Sequence, residues 1–169
     1  MEMKVCELTG KSELESAMQF VFKNFTESEK KFYEKPEFLY ARKSLVTYDV
    51  FNIDELEHYV SSCLVKLFAV FSGETMIGVS ALKLEGGKIL FFSLLQSDEG
   101  KEAGRQLIER MVEELENMPD KRRNILAFVG QEKTLVSLGF IRTNSSVFKF
   151  FGIKFIAMRY DYAQIDIER

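Results

Sequence analysis

The middle of the chain contains three apolar runs that predict neighbouring β-strands. The runs cover residues 64–71, 76–84 and 88–95, and short segments containing glycine separate them. Turns of this length and composition join antiparallel strands. We therefore expect an antiparallel meander of three strands at the centre of the fold.

Helical spacing of apolar residues marks the segments on either side of this meander. It predicts helices over about residues 12–25, 54–62 and 103–115, with a shorter one over 132–138. Further strands are expected over about 4–8, 124–129, 141–150 and 154–162. The segment from Thr26 to Asn52 mixes charged residues and scattered aromatics, and its pattern assigns no element.

Composition limits the class of protein. The chain has 169 residues, of which 46% are hydrophobic, and a net charge of -3, which indicates one globular domain over residues 1–169. The acidic balance argues against a nucleic-acid partner. Cys6, Cys63 and a single histidine, His58, offer no disulfide framework and no metal-ligand spacing, so no metal is expected. No signal peptide or membrane span is evident, and the prediction is a cytoplasmic protein without a membrane partner.

The most informative segment is residues 88–107, where an apolar strand leads into a helix marked by Gly100 and Gly104. The first N–H groups of a helix have no intrahelical acceptor and lie at the positive end of its dipole, so they bind anions such as phosphate. Glycines allow close approach of a ligand. Ser97 and the acids after it are also typical of an ordinary helix start, so a capped helix without a ligand is the alternative.

Three segments, in their order along the chain, resemble the GNAT N-acetyltransferase superfamily. Residues 99–107 resemble its Arg-Gly-x-Gly-x-Gly-x-x-Leu coenzyme A loop, residues 135–140 its Tyr-x-x-Leu-Gly-Phe helix end, and residues 155–160 its closing strand. The resemblance spans nearly the whole chain. It implies an α/β (α+β) fold with a mixed, mostly antiparallel sheet of six to seven strands, flanked by about four helices.

The resemblance also implies an activity, which is direct transfer of an acetyl group from the acetyl-CoA thioester to a small-molecule or peptide amine. The backbone amide of Leu94 or Leu95 would donate to the thioester oxygen, and the amides of residues 100–105 would hold the pyrophosphate. Lys101 and Arg105 would balance further phosphate charge. The implied coenzyme-binding residues are Leu94, Leu95, Gln96, Gly100, Lys101, Glu102, Ala103, Gly104 and Arg105.

Three residues depart from the family pattern. Glu102 stands where the family has glycine or alanine, and it adds a negative charge beside the expected phosphate site. Leu135 stands where many members carry a tyrosine thought to protonate the leaving thiolate. Lys88 falls near the position at which some members carry a glutamate base. No general acid or base can therefore be assigned from the motifs.

Substitute catalytic groups are nevertheless present, each with a structural alternative. Tyr160, or Tyr162, on the last strand could face the reaction centre or pack as an aromatic strand residue. Ser93 interrupts the strand before the loop, although a sheet can satisfy a small polar residue. Glu132 could reach the cleft or favour the helix dipole, and His58 is more simply a surface histidine. The catalytic candidates are thus Ser93, Leu94 and Tyr160.

Two other functions remain compatible with the sequence. A GNAT-fold protein without efficient turnover could serve as a coenzyme A-binding or protein-interaction module, and Glu102 and Leu135 favour this alternative. An unrelated interaction domain would use residues 100–105 only as a capped helix. The apolar run at residues 147–151 has phenylalanines on both strand faces, which is consistent with a homodimer. The sequence does not identify the amine acceptor.

Overall fold

The structure is a computed structural model that describes residues 2–24, 52–116, 124–128, 131–150 and 153–160, together with positions 27 and 30. The strands of this part are β1 (Met3–Leu8), β2 (Val65–Ser72), β3 (Thr75–Lys83), β4 (Lys88–Leu94), β5 (Asn124–Phe128), β6 (Phe140–Arg142), β7 (Phe148–Phe150) and β8 (Ile153–Tyr160). Its helices are α1 (Lys11–Lys23), α2 (Ile53–Ser61), α3 (Asp98–Leu115) and α4 (Glu132–Ser137).

All of these strands belong to one sheet, in the order β1-β2-β3-β4-β5-β8-β6, and β7 also pairs with β8. Only β4 and β5 run parallel, and every other neighbouring pair is antiparallel. The predicted mixed, mostly antiparallel sheet and its central meander are confirmed. The turn between β3 and β4 places Gly86 and Gly87 at φ values of 81° and 62°, which residues with a Cβ seldom adopt.

Helices cover both faces of the sheet and bury a core on each. Helix α3 contacts β1 to β4 on one face, whereas α1 and α2 contact β2 and β3 on the other. The α3 core contains apolar residues of α3, the sheet and α4, including Phe68, Leu82, Ile89, Leu107, Ile125, Leu135, Phe140 and Met158. The opposite core contains Leu8, Leu14, Met18, Leu56, Leu67, Val79, Leu90 and Phe91. Each large side chain buried here contributes about 1.5–3 kcal/mol.

Helices α1, α2 and α4 begin and end within two residues of the predicted positions, whereas α3 begins at Asp98, five residues before the predicted range. Helix α2 starts after Asn52, whose Oδ1 accepts hydrogen bonds from the N–H groups of Asp54 (3.1 Å) and Glu55 (3.2 Å). This cap satisfies two of the N–H groups that a helix start leaves without partners. Predicted positions 25, 117–119, 129 and 161–162 lie outside the described residues, as do most positions between Thr26 and Asn52.

The prediction of one strand over residues 141–150 is wrong, because this segment forms two strands, β6 and β7. Both pair with the same edge of β8. Between them the N–H of Thr143 donates to the Ala157 carbonyl (3.0 Å), and the N–H of Ser146 donates to Asn144 Oδ1 (2.9 Å). The Asn144 side chain thus forms a local turn that competes with the β-ladder. The break raises the count to eight strands, above the six or seven expected.

Two apolar residues at the start of β7 are exposed. Val147 is 49% exposed and Phe148 is 40% exposed. This exposure agrees with the apolar run from which a homodimer was inferred, and the homodimer stays a prediction. Within the described residues, no helix is long and apolar enough to cross a membrane.

Candidate functional site

The sheet opens between its two parallel strands, β4 and β5. Only two residue pairs join them, Lys88 with Asn124 and Ile89 with Ile125. Both strands continue beyond these pairs, but no further pair joins them among the described residues. The register of β4 against β3 shifts at Leu90, so a β-bulge lies just where the opening starts. Bulges of this kind bend a strand and end its pairing.

Among the described residues, the edge of β4 that faces the opening pairs with no strand beyond Ile89. The N–H of Leu95 donates to the Ile77 carbonyl of β3 (3.1 Å), so it points away from the opening. Because alternate residues of a strand direct their N–H groups to opposite edges, Ser93 also faces β3, whereas Phe92 and Leu94 face the opening. The prediction that the Leu95 amide could hold a thioester oxygen is therefore wrong. Leu94 remains, and the sequence analysis missed Phe92.

Helix α3 begins at the mouth of this opening. Ser97 caps it, because its Oγ accepts from the N–H of Gly100 (3.1 Å) and its carbonyl accepts from the N–H of Lys101 (3.1 Å). The N–H groups of Asp98 and Glu99, the first two helical residues, have no intrahelical acceptor. The amides available to a phosphate are thus those of Asp98 and Glu99, before the predicted range of residues 100–105. The N–H of Gly100 donates to the Ser97 cap, and the N–H groups of later residues donate within the helix.

The two glycines of α3 make close contacts within the chain, which the sequence analysis did not predict. A Cβ on Gly100 would lie 1.8 Å from the Leu95 carbonyl oxygen. A Cβ on Gly104 would lie 2.8 Å from Leu94 Cδ1 and 3.1 Å from Leu138 Cδ1. The missing side chains let α3 start directly against the end of β4. Ala103 is likewise fully buried in the α3 core.

Glu102 and Arg105 form an ion pair on the outer surface of α3. Arg105 donates from Nη2 to Glu102 Oε1 (2.6 Å) and from Nε to Oε2 (3.1 Å). These hydrogen bonds lower the pKa of Glu102 and raise that of Arg105. Both side chains line a groove beside Val5 of β1, on the flank of α3 away from the opening. The assignment of Arg105 and Glu102 to the phosphate site is therefore not supported.

Lys101 remains the cation of α3 best placed for an anion at the helix start. It is exposed, and it lies three residues before Gly104, so the two positions share a helix face. Gly104 packs against Leu94 and Leu138, which places this face toward β4 and α4. Gln96, also predicted for the coenzyme, is exposed beside the opening and directs its Nε2 to the Leu94 carbonyl at 3.5 Å.

Tyr160 lies at the opposite end of the sheet from the α3 start, so the strand pairings do not place this predicted catalytic residue beside the opening. It pairs with Phe140, and the preceding residue, Arg159, pairs with Asn124 at the beginning of β5. Lys88 is level with Asn124, and Leu94 lies six residues, or about 20 Å, farther along β4. Tyr160 instead packs edge-on against the Phe140 ring, with ring centroids 5.6 Å apart.

The other candidates occupy scattered positions. Leu135 is 2% exposed in the α3 core, so the position of the family tyrosine is filled by a packing residue. Glu132 pairs with Arg142 at 3.4 Å. His58 is exposed on α2. Ser93 is half-buried, and as a neighbour of Phe91 and Val79 it shares the sheet face of the α1 and α2 core. Within the described residues, no group of three or more His, Cys, Asp or Glu could hold a metal ion.

A protein-family model matches most of this chain. The model described as the acetyltransferase (GNAT) domain matches residues 21–162. No curated protein matches the sequence.

Solved structures show the same fold at low sequence identity. A chimera of Vibrio cholerae spermidine N-acetyltransferase SpeG and hSSAT is 16% identical, with full coverage of both chains and a TM-score of 0.65. PaiA N-acetyltransferase from Thermoplasma acidophilum, solved with coenzyme A, is 15% identical over 95% of this chain and 100% of its own, with a TM-score of 0.63. A probable acetyltransferase from Staphylococcus epidermidis is 14% identical over 95% and 99%, with a TM-score of 0.66.

Replacing Gly100 with alanine should destabilise the protein, although alanine normally favours helices. A Gly-to-Ala change inside a helix contributes about 0.5–1 kcal/mol of stability, whereas the added Cβ here would clash with the Leu95 carbonyl. We expect Gly100→Ala to lower the free energy of unfolding by about 1–3 kcal/mol in urea titrations. Gly10→Ala is the control, because its Cβ would meet only the flexible Glu13 side chain at 3.3 Å. Equal stability of both variants would contradict the close approach.

Replacing Glu102 with glutamine should cost little stability, because the pair with Arg105 is largely exposed. We expect a loss of at most about 0.5 kcal/mol at pH 7. The pKa of Glu102 is lowered in the folded protein, so the contribution of the pair is present above the unfolded pKa of about 4.3 and disappears as the pH falls through the folded pKa. The free energy of unfolding of the wild type and of Glu102→Gln, measured in urea at several pH values, reports this loss. Glu109→Gln, which removes a carboxylate 3.7 Å from Arg105, is the matched control for loss of one acidic charge from α3.

Proposed function

Because the chain belongs to the GNAT acetyltransferase family, we propose that it transfers an acetyl group from acetyl-CoA to a primary amine by direct attack. The observation that carries this proposal is the opening between β4 and β5, with the start of α3 at its mouth. The opening offers an unpaired strand edge and a helix N-terminus side by side. These two features suit, respectively, the amide-containing arm and the phosphates of coenzyme A.

The phosphate end of the coenzyme would lie at the start of α3. The N–H groups of Asp98 and Glu99 and the helix dipole favour an anion there. Lys101 adds a positive charge on the helix face toward β4. The Asp98 and Glu99 side chains are exposed, so they can turn toward solvent while their backbone N–H groups donate.

The pantetheine arm would extend along the open edge of β4, as an added strand does on an unpaired sheet edge. Leu94 is the nearer residue to α3 and would donate to the arm, and Phe92 lies two residues closer to the β4–β5 pairs. An arm that starts at α3 reaches Leu94 first and Phe92 next. We therefore propose the N–H of Phe92, or that of Leu94, as the donor to the thioester oxygen, whose charge grows during attack.

The reaction would need only the two substrates and this donor. The amine nitrogen attacks the thioester carbon, the C–N bond forms, the C–S bond breaks, and the electron pair leaves with sulfur. The proton that the nitrogen loses can reach the thiolate through water. Tyr160 lies about 20 Å from Leu94 along the strand direction, and the side chain of Leu135 is apolar. Neither residue is therefore assigned as the general acid that protonates the thiolate.

A coenzyme A-binding protein without efficient turnover is the second candidate function. Burial of Leu135 at the position of the family tyrosine favours it, because a side chain that could protonate the leaving thiolate is missing there. Both candidate functions include binding of coenzyme A, so only a measurement of turnover distinguishes them.

Spermidine, which the names of several similar structures mention, belongs in the first acceptor screen. One of these proteins is described as dodecameric, and self-association of this chain is likewise only proposed.

Calorimetric titration with acetyl-CoA tests the proposed coenzyme site. We expect micromolar affinity for the wild type and a loss of about three- to tenfold for Lys101→Gln, because one charge-assisted contact to phosphate is removed. Arg105→Gln is the matched control, since Arg105 is held by Glu102, and its affinity should change by less than about twofold.

Two outcomes would contradict the assignment. Absence of acetyl-CoA binding at millimolar concentration would remove the coenzyme site altogether. If Arg105→Gln lowered the affinity for acetyl-CoA more than Lys101→Gln did, the phosphates would instead be assigned to the flank of α3 that faces β1. Replacing Gly100 or Gly104 is unsuitable for this purpose, because both glycines support packing within the chain, and a loss of binding could reflect a loss of folding.

A further inference from the structure

Three cations and one amide form a continuous row across four neighbouring strands. Lys83 of β3 pairs with Lys88 of β4, Lys88 pairs with Asn124 of β5, and Asn124 pairs with Arg159 of β8. Residues paired in this way direct their side chains to the same face of the sheet. Neighbouring strands lie about 4.8 Å apart, so the row spans about 15 Å.

The adjacent row shows which face the cations occupy. Leu82, Ile89, Ile125 and Met158 pair across the same strands in the same order. All four are buried in the α3 core. Because successive residues of a strand point to opposite faces, the basic row lies on the face opposite α3, which α1 and α2 cover nearer to β1. Its cations therefore project away from the helix to which the phosphates of acetyl-CoA are assigned.

The row places like charges together at a partly buried position. Lys83 and Lys88 are directly opposite one another, an arrangement that destabilises a strand pair. Burial, and then the charge of Lys83, lowers the pKa of Lys88. Both lysines make further interactions within the chain, and the net effect on the Lys88 ammonium is still unfavourable. A bound anion would offset this cost, and the exposed Arg159 gives such an anion access from solvent.

The row also lies at the closed end of the opening in the sheet. Lys88 and Asn124 form one of the two pairs that close it. Phe92, a proposed donor to the thioester oxygen, is four residues or about 13 Å farther along β4. An acceptor that enters from the face opposite α3 can therefore put its amine at the thioester and its far end near the row.

We propose that the acceptor amine carries an anionic group, a carboxylate or a phosphate, at its far end, and that Lys88 and Arg159 bind this group. The inference rests on the proposed acetyl transfer and identifies the class of its second substrate. A polyamine would place a second cation against the row and be repelled by it. The acceptor class is thus expected to differ from the spermidine named for several similar structures.

Three six-carbon amines that differ only at the far end test this inference. They are 6-aminohexanoate, hexylamine and 1,6-diaminohexane, which carry a negative, neutral and positive end group. With acetyl-CoA saturating, we expect kcat/KM to be about tenfold higher for 6-aminohexanoate than for 1,6-diaminohexane. The row attracts the negative end group of the first amine and repels the positive end group of the second. Spermidine should resemble 1,6-diaminohexane. Binding of the three amines to the protein with free CoA, measured by calorimetry, gives the same comparison without turnover.

Variants of the row distinguish binding of the anion from a general loss of activity. Lys88→Gln and Arg159→Gln should each raise KM for 6-aminohexanoate about fivefold and leave KM for hexylamine and the affinity for acetyl-CoA unchanged. Lys154→Gln is the matched control. Lys154 is exposed on the same strand as Arg159, but the alternation along β8 places it on the α3 face, so its replacement should alter none of these values.

The possible failures are separable. If acetyl-CoA does not bind, the proposed function fails before the acceptor is considered. If acetyl-CoA binds, but 1,6-diaminohexane or spermidine is bound or acetylated with the same efficiency as 6-aminohexanoate, the inference is overturned. The proposed acetyltransferase activity then still stands. Equal effects of Lys88→Gln on all three amines would also overturn it, because such a variant would then alter the cleft rather than an anion contact.

Discussion

The limited pairing of β4 with β5 is the constraint on which the rest of this site depends. Parallel strands need a crossover connection, and α3 lies in that connection, directly after β4. Two residue pairs hold the strands together at one end. The bulge at Leu90 then turns β4 away, and the backbone groups of Phe92 and Leu94 are left facing an opening. The sheet therefore supplies an open strand edge in its interior, between two strands that each keep a neighbour on the other side.

The packing of α3 keeps this opening in a defined position. Its buried face contacts β3 and β4 through Ala103, Leu107 and Met111, while Gly100 and Gly104 let its first turns lie against Leu94 and Leu95. The N-terminus of α3 is consequently attached to the last residues of β4 rather than to a loop. Groups that would bind phosphate and groups that would bind the arm are thus held together by this packing. Such a site loses little by ordering when a ligand binds.

Sequence patterns predicted the elements well where a strong period was present. The central strands and α1 to α4 came from local signals, and these elements are present in the structure. Contacts between distant elements were harder to predict. Ser97 and Gly100 correctly marked a helix start, but nothing local indicates that Gly100 lies against the Leu95 carbonyl. The break at Thr143–Ser146 depends on an Asn144 turn that competes with an extended strand of the same apolar pattern.

Register explains the larger errors at the site. Whether Leu94 or Leu95 faces the opening depends on a hydrogen bond to Ile77, and Tyr160 is remote from Leu94 only because β8 runs antiparallel to β5. A shift of one residue in the pairing register would exchange every inward-facing and outward-facing group of a strand. The local sequence of one strand does not specify this register. The same holds for the basic row, whose members Lys83, Lys88 and Arg159 are isolated cations until three pairings align them.

In the proposed acetyl transfer, the two substrates approach the opening from opposite faces of the sheet. Helix α3 covers one face with its N-terminus, and the cations of β3, β4 and β8 project from the other. Two substrates with anionic ends can then meet at the Phe92 edge from opposite sides, with like charges kept apart by the sheet. Direct attack needs both substrates bound at once and requires no nucleophile from the protein. The two cysteines lie elsewhere, Cys6 on β1 and Cys63 after α2, and the proposed ternary complex needs neither of them.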